Sequence, residues 1–186
     1  MIVPDAGQAS LATKAGVRSV TLVRVRTFSN RLTNTIGSTF YWATLPVRYQ
    51  WTAGTDQQFE SRVKGVSAIT RGFAHIPDGV TVGTRDGLTI TLDLSIEGTV
   101  WPWTTLGNEF LHGALVDVAT LLIEAGQFES ADPYDLTAMG SVHVVRWRGE
   151  VTSTTDYDWE QGTVALNCDT REPTFAWPTA RDPLVN

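Results

Sequence analysis

The chain has 186 residues, which suits one domain, or two small ones sharing a core, and is enough to bury about 70% of the surface its unfolded form would expose. Its formal net charge of −6, from 14 basic and 20 acidic residues, excludes a protein that tracks nucleic-acid phosphates along a basic stripe. With 18% charged and 42% apolar residues intrinsic disorder is excluded, and the single cysteine, Cys168, excludes an internal disulfide or a multi-cysteine metal site.

Residues 1–16 are small and polar and carry Pro4, Gly7 and Gly16. No apolar run follows a positive start, so they read as a flexible N-terminal arm and not as a signal peptide. No stretch approaches the eighteen apolar residues of a membrane span, and the chain reads as soluble and intracellular in origin. From Val17 the sequence turns to short segments rich in Val and Thr, whose branched Cβ suits a pleated surface; the chain holds 19 Val and 26 Thr. The expected fold class is therefore all-β, an antiparallel barrel or sandwich over residues 17–186 with one short helix.

In residues 20–26 (VTLVRVR), Val23 and Val25 fall on one face and Arg24 and Arg26 on the other, the pattern of a strand with one wet or interfacial side. After a turn-like NRLTNTIG, residues 40–43 (FYWA) form a strand, residues 49–52 a weaker one, and residues 63–69 continue the sheet. Pro77-Asp78-Gly79 and Asp86-Gly87 read as turns, the second closing a hairpin. Residues 88–96 (LTITLDLSI) alternate strictly, with Leu88, Ile90, Leu92, Leu94 and Ile96 on one face. Residues 108–125 fit both periods; Gly113 favours a short helix near 105–112 and then a strand over 114–123. Residues 127–140 form a polar loop. In residues 141–151 (SVHVVRWRGEV), Val142, Val144, Arg146 and Arg148 lie on one side and His143, Val145 and Trp147 on the other, and residues 163–168 form the last strand before a proline-rich tail.

Little in the chain points to catalysis. His75, His112 and His143 sit on separate segments without metal-ligand spacing, and Cys168 has no local signature of a nucleophile and reads as a small core residue. Asp156, Asp158 and Glu160 place carboxylates at alternate positions, loosely like a calcium loop, but the later bidentate Glu is missing and a solvated hairpin tip is the simpler reading. Phosphate-binding glycine loops are absent. No cofactor, metal or catalytic residue is assigned, and the expectation is a non-enzyme.

The remaining signals are 12 Arg against 2 Lys, and seven Trp. A GC-rich genome alone would raise Arg over Lys, but both residue types also anchor interfaces, Arg through its stiff fork of donors and Trp through area. In an all-β chain the tryptophans are core anchors, interface anchors or a sugar-stacking platform. Arg24, Arg26, Trp101, Trp103, Arg146, Trp147, Arg148 and Trp159 are the interface candidates, since the arginines share strand faces and the tryptophans lie on or beside strands.

The order of segments, VTLVRVRT, FYWATLPVRYQW, LTITLDLS, VVRWRGEVTS, TVALNC and FAWPTARDP, resembles the minor tail proteins of long-tailed bacteriophages and gene transfer agents, of the lambda-type minor tail protein L and tail-tip hub kind. The resemblance spans residues 17–183 and is best over 88–95 and 144–151. It implies a structural virion subunit of the tail tip or baseplate, forming a homo-oligomeric ring, a trimer in the hub position, between the tail tube and the distal tip or adhesin. Its implied neighbours are the distal tail protein, the central hub and the tape measure. DNA would pass through such a ring without specific binding. Some relatives add a cysteine-rich region that holds a metal cluster; one cysteine carries over no such cluster. A distal tail protein in a hexameric ring and a carbohydrate-binding β-sandwich for host recognition are the alternatives.

Overall fold

The computed structural model describes residues 6–30, 32–75, 81–94, 110–124, 134–158 and 160–170. These form one short helix, α1 (Ala6–Leu11), and eleven strands: β1 (Val17–Asn30), β2 (Thr35–Ala43), β3 (Val47–Thr52), β4 (Thr55–Phe59), β5 (Val63–Val66), β6 (Thr70–His75), β7 (Thr81–Asp93), β8 (Phe110–Glu124), β9 (Tyr134–Asp135), β10 (Val144–Asp158) and β11 (Thr163–Asp169). The protein is all-β, as the Val- and Thr-rich segments require.

Eight strands make one antiparallel sheet in the order β2-β1-β8-β10-β11-β7-β5, with β6 also paired to β7. Its first and last strands approach each other. Ala43 donates its N–H to the Glu60 carbonyl (2.8 Å) and Glu60 donates back to Tyr41 (3.0 Å), tying β2 to the segment that enters β5. Arg62, 1% exposed, fixes this seam by pairing through Nε with the Glu60 carboxylate and donating from Nη1 to the Asp93 carbonyl. The sheet therefore curls around a first core of Val23, Val25, Trp42, Ile90, Leu92, Val116, Val118, Trp147, Val164 and Leu166 among others. Each such side chain contributes about 1.5–3 kcal/mol on leaving water.

The opposite, outer face of β1 and β8 is also apolar at one end. Val20, Leu22, Ala119, Leu121 and Ile123 pack there against a smaller sheet of order β4-β3-β9 through Val47, Tyr49, Trp51, Phe59 and Leu136, giving a second core. The two cores follow from strand period. Val23 and Val25 point inward, while Leu22, Arg24 and Arg26 point outward, as their alternation predicts.

Several local expectations change. Asp86 and Gly87 do not turn the chain: they lie inside β7, where Gly87 pairs with Asp169 on one side and Thr70 on the other, and two flanking ladders outweigh a local turn preference. The β6–β7 hairpin closes instead through residues 76–80, the position of Pro77-Asp78-Gly79, which lies outside the described residues. The ambiguous segment is strand from Phe110 onward, so no helix occupies 110–112, and residues 105–109 lie outside the described residues. Gly113 sits in that strand at φ 76°, a left-handed conformation that only glycine adopts readily, beside an irregularity in the β1–β8 register.

The short helix is α1, within the segment read as a flexible arm. Beyond Thr120 strand β8 has passed the end of β10, and the Gln8 amide takes the missing strand's place: it donates to the Leu122 carbonyl (3.1 Å) and accepts from the Leu122 N–H (2.8 Å). Within the expected polar loop, Tyr134–Asp135 add in parallel to β3 and Thr137–Met139 form a single 3-10 turn.

Candidate functional site

The site is assembled by the register of four neighbouring strands. Tyr41 on β2, Arg24 on β1, Asp117 on β8 and Arg148 on β10 lie directly opposite one another in consecutive ladders, forming a row across the outer face. Asp117 is 2% exposed and is the hub of this row. Its Oδ2 accepts from Arg24 Nε (3.0 Å) and Nη2 (2.7 Å) and from Arg26 Nη2 (3.1 Å), and its Oδ1 lies 3.2 Å from Arg148 Nε. One carboxylate thus gathers three guanidinium groups from two strands. Charge-assisted bonds of this kind offset the desolvation of a buried carboxylate, which alone would cost several kcal/mol.

Trp51, at the end of β3, borders the row where the small sheet stops. The Arg24 guanidinium carbon lies 4.7 Å from its ring centroid, a cation–π contact, and the His143 ring lies 4.2 Å away at 32°. Tyr49 holds His143 from the other side. Its hydroxyl accepts from the backbone N–H groups of Val142 (2.8 Å) and His143 (2.9 Å) and lies 3.1 Å from His143 Nδ1, so the hydroxyl proton is directed at that nitrogen. Burial, followed by the charge of Arg24, holds the His143 pKa below the ordinary imidazole value. Burial raises that of Tyr49 against the two N–H bonds. Neutral imidazole and neutral phenol therefore meet here as structural partners.

The interface candidates separate on the structure. Arg24, Arg26 and Arg148 come together at Asp117. Arg146 does not: a β-bulge between Val145 and Trp147 in the β8–β10 ladder puts it on the other side, in a shallow cavity with Gln8, Thr120, Leu122 and Val144. The same bulge separates Trp147 from Val145 and Arg148 from Arg146, so the expected alternation reverses after residue 146. Trp147 is 5% exposed and packs in the first core, where its Nε1 finds no acceptor among the described residues. Trp101, Trp103 and Trp159 lie outside the described residues.

The other chemical candidates fall into structural roles. Cys168 is buried in the first core, and burial, with Asp169 nearby, pushes its thiol pKa up to about 12, far from a reactive thiolate. His112 is exposed, and the side chain of His75 lies outside the described residues. Asp158 Oδ1 accepts from the N–H groups of Glu160 (3.1 Å) and Gln161 (3.0 Å), so this carboxylate shapes the β10–β11 hairpin tip. Among the described residues no group of three His, Cys, Asp or Glu side chains could hold a metal ion, and no helix is long and apolar enough to cross a membrane.

No protein-family model matches the chain, and no curated protein matches it. The site must be read from its own residues. Sequence reading misses Asp117, Trp51 and Tyr49. One signal for Asp117 is present: in ALVDVATLLI a lone carboxylate interrupts an apolar strand, and such a charge needs cations across the ladder.

Proposed function

We propose that the chain is a structural, non-enzymatic subunit of a long-tailed phage or gene-transfer-agent tail, a hub-like component of the tail-tip or baseplate ring joining the tail tube to the distal tip or adhesin. Its site in this reading is the virion, and its partners are further copies of itself and the neighbouring tail proteins. The order of strand segments supports this, and one structural observation carries it. The small sheet packs on the outer face of β1 and β8 over Val20, Leu22, Ala119, Leu121 and Ile123, and further along the same face stands a guanidinium cluster fixed in place by a buried aspartate. A rigid, partly desolvated arginine cluster on a closed β framework is the kind of surface that subunit contacts use.

Position and copy number in purified tail particles test the reading. An antibody against the chain should mark the distal end of the tail, and peptide counting should return a trimer's three copies per particle. A count matching a hexameric ring would move the chain to the distal-tail position. Absence from the particle would overturn the proposal. The carbohydrate reading gains no support from the described tryptophans, because Trp42, Trp51 and Trp147 are all buried.

A further inference from the structure

The cluster around Asp117 has more donors than acceptors. Arg26 gives Asp117 one Nη2 contact, while its Nε is buried and has no acceptor among the described residues. Arg148 Nε lies 3.2 Å from Asp117 Oδ1, and the Arg148 side chain is 71% exposed. Glu150 pairs with Leu115 in the ladder and so shares this face, yet no ion pair joins it to Arg26 or Arg148 among the described residues. Asp169 lies opposite Glu150 on β11, so this stretch of the face carries three guanidiniums and three carboxylates, but at the cleft Arg26 and Arg148 stand beside Asp117 alone. Beside them opens a cleft of about 240 Å³, lined by Arg26, Leu115, Val116, Asp117, Arg148 and Gly149.

We propose that this cleft is a docking site for an acidic segment of a partner protein, one of whose carboxylates enters between Arg26 and Arg148. The donor geometry fits, because the planar fork of a guanidinium matches a carboxylate and the two arginines approach the cleft from different strands, β1 and β10. Charge complementarity fits, because the lining of the cleft sets two guanidiniums against one carboxylate. The walls fit a side chain better than a free ion: the half-buried Leu115 offers apolar surface to a methylene stem, and a doubly charged phosphate would also meet Asp117. An open, solvated cleft binds a lone small anion weakly, since water and salt screen the charges. A segment anchored elsewhere along the face brings its carboxylate at high effective concentration. The inference goes beyond the tail-ring reading and does not depend on it.

The test is a nitrogen–proton NMR titration of the arginine Nε–Hε signals in the full chain, using acetylated and amidated hexaglutamate, hexaglutamine and inorganic phosphate at constant ionic strength. Saturable shifts at Arg26 and Arg148 with hexaglutamate and none with hexaglutamine are expected, with binding about tenfold weaker in Arg148→Gln. The exposure of Arg148 lets that variant keep the wild-type amide spectrum. Arg26→Gln should weaken binding similarly, and Lys14→Gln, distant on α1's flank and paired with Glu124, should leave it unchanged. The proposal is overturned by the absence of a hexaglutamate response, by binding as tight as wild type in Arg26→Gln and Arg148→Gln, or by phosphate moving the same signals at lower concentration. A specific hexaglutamate response from a chain absent from tail particles would uphold this inference and overturn the tail reading alone.

Discussion

Strands β1 and β8 present one face to the interior of the curled sheet and the other first to the small sheet and then, past Trp51, to the cleft over Asp117. Along the inner face apolar residues run on without a break: Val23, Val25, Ala114, Val116 and Val118 are all buried in one cluster. Along the outer face the chemistry changes within one strand period. Leu22 belongs to the second core, and Arg24, two residues on, lies over Trp51 and binds Asp117. The inner face is held by packing, which salt does not screen. The ionic half of the outer face is held by contacts whose strength depends on geometry, partner count and screening.

Removing the hub of the outer row should have the largest effect. Asp117→Ala leaves three guanidiniums converging on an uncompensated site, and a loss of about 4 kcal/mol is expected in urea unfolding. Ile90→Ala on the inner face should lose a comparable about 3 kcal/mol through a cavity. The comparison lies in the salt response: the wild-type advantage over Asp117→Ala should shrink between low and high salt, while that over Ile90→Ala should not. Equal responses would show that the two faces are held by the same kind of force.

Next in size is the position where both faces meet on β10. A Cβ at Gly149 would run into the Trp147 ring and the Asp169 carbonyl, both held in the core or the β10–β11 ladder. Gly149→Ala is therefore expected to cost about 2 kcal/mol by overpacking, with a perturbed Trp147 fluorescence signal as the check. Smaller still is Arg24→Lys. It keeps the charge but loses the two-donor grip on Asp117 and the flat stacking on Trp51, for about 1 kcal/mol in thermal or urea unfolding. Unchanged stability in Arg24→Lys would reduce the row to simple charge attraction.

The contrast between the faces was partly visible in the sequence. Alternation alone put Val23 and Val25 opposite Arg24 and Arg26, and Leu88, Ile90 and Leu92 on one face, because side chains on a strand must alternate. The grouping of Arg146 with Arg148 failed at the bulge beside Trp147, since one extra residue reverses every side chain beyond it and bulges carry no reliable local signature. Asp86-Gly87 shows the same limit in reverse, a strong local turn pair absorbed into a strand by neighbours far away in sequence. Gln8 was invisible for a related reason: its role as a surrogate strand exists only once β8 outruns β10. The convergence on Asp117 required the β1–β8–β10 order, a non-local property that no spacing within one segment encodes.

The border between the two halves of the outer face should also show in the pH dependence of stability, the smallest of these effects. His143 is half-buried between Tyr49 and Trp51, with Arg24 close enough to disfavour its protonation, so its folded pKa lies below the 6.5 of a free imidazole. Between those two values the unfolded chain binds more protons than the folded one. The resulting stability is complete above about pH 6.5 and is lost as the pH falls through the folded value. The midpoint of thermal unfolding should therefore drop between pH 7.5 and pH 5 in the wild type, with a shallower drop in His143→Gln, which has nothing to protonate there. Arg24→Met should also flatten the slope, by removing the cation that opposes imidazolium, while Ile90→Ala should lower the midpoint at every pH and leave the slope as it was. A slope unchanged in His143→Gln would move the pH sensitivity off this border and onto the carboxylates of the surface.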